Sequence, residues 1–179
     1  MLNEHVTTAR LLLEPLTAAD ADDMVSVLAA PELYAFIGGE PPDVEGLRAR
    51  YERLAVGGSA DGSQEWHNWI ARRVGDGVAV GTVQATVSAG AGSGRVADVA
   101  WVVGAPFQGR GYAVEAASAL VAWLRERGVT EVRAHIHPEH AASARVAERI
   151  GLTPSGVLDD EGEQIWRSAL PAQRLETAR

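Results

Sequence analysis

The hexapeptide Gln108-Gly109-Arg110-Gly111-Tyr112-Ala113 concentrates what this chain offers for holding an anion. Two glycines one residue apart let a backbone turn tightly and come close to a ligand. An apolar run of helical spacing starts directly behind them, at Ala113. The first amides of such a helix have no partner within it and stand at the positive end of its dipole. Together they form an anion site, to which Arg110 adds a full charge able to meet phosphate. This is the equipment that a pyrophosphate-bearing ligand needs. A G-x-G before a helix is also simply a tight strand-to-helix turn, so the segment needs context. It is not the dinucleotide fingerprint, because Val114 stands where a third glycine belongs, and no Gly-Lys-Ser/Thr of a P-loop is present.

Other side chains could act nearby. Asp98 belongs to Val96-Ala97-Asp98-Val99-Ala100-Trp101, where strand alternation puts Asp98 and Ala100 on one face and Val99 and Trp101 on the other. His135 and His137 lie two apart on a predicted strand and share a face. Such a pair can bind metal, but no firm third ligand accompanies it, so no metal is expected. Trp66, Trp69, Trp101, Trp123 and Trp166 are core or sheet-face residues by default. The absence of cysteine excludes disulfides, thiolate metal sites and cysteine nucleophiles.

The elements that must position these groups follow from periodicity. Arg10 to Glu14 reads as a strand ended by Pro15, and Thr17 with Asp20 three residues on fits a capped helix start. Val44, Leu47, Tyr51 and Leu54 give a second helix its apolar stripe. Trp66 to Arg72 and Val78 to Val87 read as strands around the turn at residues 75–77, and Val96 to Val103 as a third. Residues 57–62 and 89–94 are Gly-rich connections. Ala113, Ala116, Ala117, Leu120, Val121 and Leu124 follow helical spacing, with Gly128 as the stop. Val132, Ala134 and Ile136 alternate as in a strand. A short helix follows with Ala142, Val146, Ala147 and Ile150 inward, then strands at 155–158 and 164–170 around an acidic turn, Asp159-Asp160-Glu161-Gly162. The prediction is an α/β (α+β) single domain at residues 1–170, with a mixed, mostly antiparallel sheet of about seven strands flanked by about four helices, and a polar tail at 171–179.

A chain of 179 residues with 46 % hydrophobic and 22 % charged residues can bury a core as one domain. Its formal charge of -8 disfavours nucleic acid and is compatible with a cationic acceptor. No signal peptide and no membrane-length apolar run are visible, so a cytoplasmic protein is expected.

Three separated segments carry a resemblance. The opening Thr8-Ala9-Arg10-Leu11-Leu12-Leu13-Glu14-Pro15-Leu16 is one. Asp98 to Val103 followed by Gln108-Gly109-Arg110-Gly111-Tyr112-Ala113, similar to a Q/R-x-x-G-x-G/A motif, is another, and Ala142 to Leu152 is the third. Together, over nearly the whole chain, they resemble the GNAT acetyltransferase superfamily and within it the ribosomal-protein N-terminal acetyltransferase-like branch. The resemblance implies a sheet whose strands at 96–103 and 132–136 splay apart. Acetyl-CoA would serve as co-substrate, its pantetheine against Trp101, Val102 and Val103 and its pyrophosphate on amides of Gln108 to Ala113. An amine would attack the thioester directly, with a carboxylate as base. Asp98 stands where relatives often have an acid, and Glu14 and Glu65 are alternatives. Ser143 occupies the position of a serine that protonates or holds the leaving sulfur; as a plain helix-start serine it would instead satisfy backbone amides. His140 stands where the family often has Asn, either contacting the cofactor or capping its helix. No tyrosine follows Tyr112, so the tyrosine acid of many relatives is lacking. Trp66 or Trp69 would line an acceptor pocket. The expected partner is an amine, on a protein N-terminus or a small molecule, and a homodimer stays open. A non-catalytic acyl-CoA-binding module is the alternative reading.

Overall fold

The computed structural model describes residues 3–90 and 94–169. Its strands are β1 (Val6–Thr7), β2 (Leu11–Pro15), β3 (Gln64–Arg73), β4 (Ala79–Ala89), β5 (Arg95–Val103), β6 (Glu131–Ile136), β7 (Thr153–Leu158) and β8 (Gln164–Ala169). Its α-helices are α1 (Ala21–Val27), α2 (Tyr34–Ile37), α3 (Val44–Ala55), α4 (Tyr112–Glu126) and α5 (Ala141–Arg149). The sequence leads one to expect a strand and a helix fewer. The additions, β1 of two residues and α2 of one turn, are too short to leave a periodic trace. The predicted tail, residues 171–179, and the middle of the 89–94 connection lie outside the described residues.

The strands form one sheet in the order β1-β2-β3-β4-β5-β6-β8-β7. Every neighbouring pair is antiparallel except β5 and β6, which α4 connects as a crossover. That parallel pairing covers only Val96, Ala97 and Asp98 against Glu131, Val132 and Arg133. Beyond Asp98, β5 continues to Val103 beside β4 while β6 continues to Ile136 beside β8. The sheet therefore opens into a V whose apex is Asp98.

Alternation gives each face of the sheet its own core. On one face Leu120 and Leu124 of α4 and Ala147 of α5 pack against Val83, Ala97, Val99, Val132 and Ala134. On the other, Met24 of α1 and Leu47 and Tyr51 of α3 cover Ile70 and Ala79. Burying one such leucine contributes about 1.5–3 kcal/mol. Ala142 is exposed, contrary to its predicted inward place, and Ala144 packs on the core instead. Local signals set the helix starts. Asp43 accepts the Gly46 amide at 2.7 Å at the start of α3. Asp20 accepts the Thr17 amide at 2.8 Å where a 3-10 turn leads into α1.

Candidate active site

The hexapeptide leaves the end of β5 and enters α4. Gly109 has φ +72 and Gly111 φ +80, backbone that only glycine adopts without strain. Gly111 caps α4 with no side chain to satisfy the first turn. The amides of Gly109 to Val114 accordingly lack a hydrogen-bond partner among the described residues. Arg110 is exposed, and its guanidinium makes no ion pair among the described residues. This cradle of free amides plus one free cation fits a pyrophosphate. The Gln108 amide group turns back and donates to the Val103 carbonyl at 3.0 Å, fastening the loop to its strand. Tyr112 is buried and Ala113 half-buried in the first turn of the helix.

Two residues not singled out from the sequence hold this loop. Arg10 Nη1 donates to the Arg110 carbonyl at 2.9 Å, and Arg10 Nε and Nη2 reach Glu115 at 2.7 and 2.6 Å. The Arg10 guanidinium also lies 4.9 Å from the centre of the Tyr112 ring. Glu115 further accepts from the Thr8 hydroxyl at 2.7 Å and the Arg10 amide at 2.8 Å. Burial alone would push the Glu115 carboxyl up, but the bonds from Thr8 and Arg10 outweigh it and hold it below its usual range. The signal was present in Thr8-Ala9-Arg10 and in an acid on the first turn of α4, yet the two are about a hundred residues apart.

The V between β5 and β6 is a cleft. Val99, Ala100 and Trp101 line one wall, and residues 134–137 the other. Phe36, His140 and Ser143 close it. From Val99 to Val103 the β5 edge toward β6 has no partner strand among the described residues, and Trp101, Val102 and Val103 stand along it. His140 occupies the N-cap position of α5 but makes no side-chain capping bond. Its ring stacks on Phe36 at 4.5 Å. Burial, with His137 nearby, pushes its pKa down. The Ser143 hydroxyl makes no hydrogen bond among the described residues, so it does not serve as a helix cap.

At the apex, Asp98 Oδ1 lies 3.4 Å from His135 Nε2, and His135 Nδ1 lies 2.6 Å from Asp159 Oδ2. Burial opposes charging His135, but the Asp159 bond and the Asp98 charge prevail and raise its pKa. Ligand atoms of His135, Asp159 and Glu163 fall within 4.8 Å of one another. His137 is not part of this group; it sits past the end of β6 and accepts the Glu139 amide at 3.2 Å. The other two carboxylates are engaged elsewhere. Glu14 pairs with Arg72 at 2.8 Å, and Glu65 pairs with Arg95. Trp69 is buried in the core, while the strand register puts Trp66, Thr86 and Asp98 in one row across the sheet.

A family model described as an acetyltransferase (GNAT) domain matches residues 10–153. No curated protein matches the sequence. Among solved structures, a GNAT-family acetyltransferase from Bacillus anthracis is similar with a TM-score of 0.72 at 20 % identity, covering 93 % of this chain and 98 % of its own. A Vibrio cholerae protein described as a candidate ribosomal-protein-serine acetyltransferase gives 0.71 at 18 % identity, covering 94 % and 98 %. The aminoglycoside acetyltransferase AAC(6')-Ib in complex with coenzyme A gives 0.70 at 19 % identity, covering 89 % and 94 %. At these identities the likeness shows a shared fold. No helix among the described residues is long and apolar enough to cross a membrane.

Proposed function

The chain belongs to the GNAT acetyltransferase family, and from that premise we propose that it moves acetyl from acetyl-CoA to a primary amine by direct attack. The acetyltransferase domain is taken as residues 1–170, with 171–179 as a polar tail, working in the cytoplasm. The observation that carries the reading is the V apexed at Asp98, with a phosphate cradle at its open end and a free serine hydroxyl on its wall.

Each residue has a task. The free amides of Gly109 to Ala113 and the Arg110 guanidinium hold the pyrophosphate, while the Gln108 amide already donates to the Ala105 carbonyl at 3.3 Å and its side chain fastens the loop. The unpaired β5 edge at Trp101, Val102 and Val103 pairs with the pantetheine, and His140 flanks it. Acetyl-CoA supplies a thioester whose carbonyl carbon accepts the amine. A β5 amide donates to the carbonyl oxygen as it gains charge. Asp98 draws the proton from the incoming ammonium, because only a neutral amine attacks. Ser143 donates a proton to the departing sulfur. No metal has a task in this scheme.

Asp98, Asp159 and Glu163 make the apex acidic, which suits a cationic amine. The opening segment Thr8 to Leu16 favours the ribosomal-protein branch and hence a protein N-terminus. A fold equally like that of an aminoglycoside enzyme keeps small-molecule amines in view. The test is thiol release from acetyl-CoA with a short peptide bearing a free N-terminus, an arylalkylamine, a polyamine and an aminoglycoside. Turnover with at least one is expected. CoA binding without turnover on any would leave an acyl-CoA-binding module instead.

A further inference from the structure

His135 has no task in that scheme, although three features converge on it. The first is its face. Val132, Ala134 and Ile136 of β6 are buried in the core, so His135 and Arg133 take the other face. Pairing of Asp98 with Arg133 puts the Asp98 carboxylate on that same face. The second is its support. Asp159 Oδ2 lies 2.6 Å from His135 Nδ1, and Asp159 is itself held because its Oδ1 accepts the Glu161 and Glu163 amides, each at 2.9 Å. A carboxylate so fixed keeps the proton on Nδ1 and leaves the Nε2 lone pair free. The third is what Nε2 meets. In the neutral ring, that lone pair faces Asp98 Oδ1 at 3.4 Å, two acceptors with no proton between them. A cationic donor placed there satisfies both.

We infer that His135 is a catalytic residue of the acetyl transfer: Asp98 draws the first ammonium proton and His135, 3.4 Å away, is the group on which it comes to rest, with Asp159 acting as a positioning residue. The inference rests on the acetyl-transfer reading above. One N–H bond of the ammonium breaks, an Nε2–H bond forms, and the electron pair stays on the amine nitrogen for attack on the thioester. The second proton leaves that nitrogen as the C–S bond breaks and reaches sulfur through Ser143. The imidazolium then gives its proton to water. Asp98 alone is a weak acceptor for an ammonium proton, since a carboxylic acid is far stronger than an ammonium ion. An imidazole lies nearer the optimum for general-base work at neutral pH.

The charged and titratable groups around His135 are Asp98 from β5, Asp159 and Glu163 from the β7–β8 connection, and Arg133 and His137 along its own segment. The two aspartates favour the charged ring, and the working form is the neutral one. The rate must therefore rise as pH climbs through a pKa above the ordinary histidine range.

The test combines two readouts on wild type, His135→Gln, Asp159→Asn and Asp98→Asn. The first is the pH–rate profile with whichever panel amine turns over fastest. The second is the NMR titration of the His135 imidazole. His135→Gln should lose about 10²–10⁴-fold in turnover and the rising limb, with CoA affinity unchanged. Asp159→Asn should shift the limb, and the imidazole titration with it, to lower pH. Asp98→Asn should do the same while also lowering turnover and raising the acceptor's KM. A His135→Gln protein with the wild-type rate and limb overturns the inference. So does an imidazole that titrates in the ordinary range and ignores Asp159→Asn, a result that needs no acceptor. Failure of every panel amine with wild type strikes the acetyl-transfer reading instead.

Discussion

Replacing Gly111 by valine probes the phosphate cradle directly. Gly111 has φ 80 and ψ 6, where a residue with a Cβ pays about 1–2 kcal/mol, with a β-branched one at the upper end. A Cβ there would also stand 3.4 Å from Arg10 Nη2. That distance is ordinary contact for the Cβ itself, so it is the γ-methyls of valine that press on Arg10 and loosen its bond to the Arg110 carbonyl. The Arg10 side chain is 49 % exposed, so screening discounts that loss to about 1 kcal/mol. The sum is about 2–3 kcal/mol. If the loop relaxes to escape the strain, its amides turn away and CoA affinity falls about 30- to 150-fold. If it keeps its shape, the melting temperature falls by about 4–12 °C instead. Calorimetry with CoA and a thermal melt, run on the same preparation, apportion the two. Gly109→Val is the control: its φ is +72, but nothing lies within 4 Å of its Cβ, so it carries the strain alone. The excess of Gly111→Val over Gly109→Val should vanish in an Arg10→Ala background. A folded Gly111→Val protein that both binds CoA and melts as wild type does would refute the reasoning.

Two further expectations follow from single side chains. Ser143→Ala should lower turnover while CoA affinity holds, since a bond to the departing sulfur strengthens only as charge develops there; an unchanged rate returns Ser143 to a structural role. Glu115→Gln should flatten the acid side of the stability curve. The folded-state pKa of Glu115 is depressed, so its contribution is complete above the unfolded value and fades as pH falls through the folded one. Urea titrations of both proteins across that range should converge at low pH, and parallel curves would remove Glu115 from the account.

The long elements were legible because each carries a period. The 3.6-residue spacing from Ala113 to Leu124 yields α4 as Tyr112–Glu126, and alternation from Val132 to Ile136 yields β6. The cradle was legible because its conformation demands glycine at 109 and 111. The sequence offers His135 only as half of a pair with His137. Nothing local announces that His137 lies beyond the strand, or that the partner of His135 arrives from a turn 24 residues later. Asp159 itself looks like an ordinary turn residue, and it is one, accepting two amides of its own turn. The Arg10–Glu115 clamp was hidden for the same reason, since no periodicity spans 105 residues.

The three-pair seam between β5 and β6 has a mechanical consequence. Five strands lie on one side of it and three on the other, so the sheet's two parts are joined by little backbone pairing. A pantetheine arm along the free β5 edge would act as a ninth, non-peptide strand bridging part of the gap. Occupancy would then slow amide exchange on both lips of the V, and at a CoA concentration 100 times its Kd the folded state would gain about 2.7 kcal/mol. A cell rich in acetyl-CoA would hold this sheet closed, and a starved one would leave its two parts free to breathe about the apex.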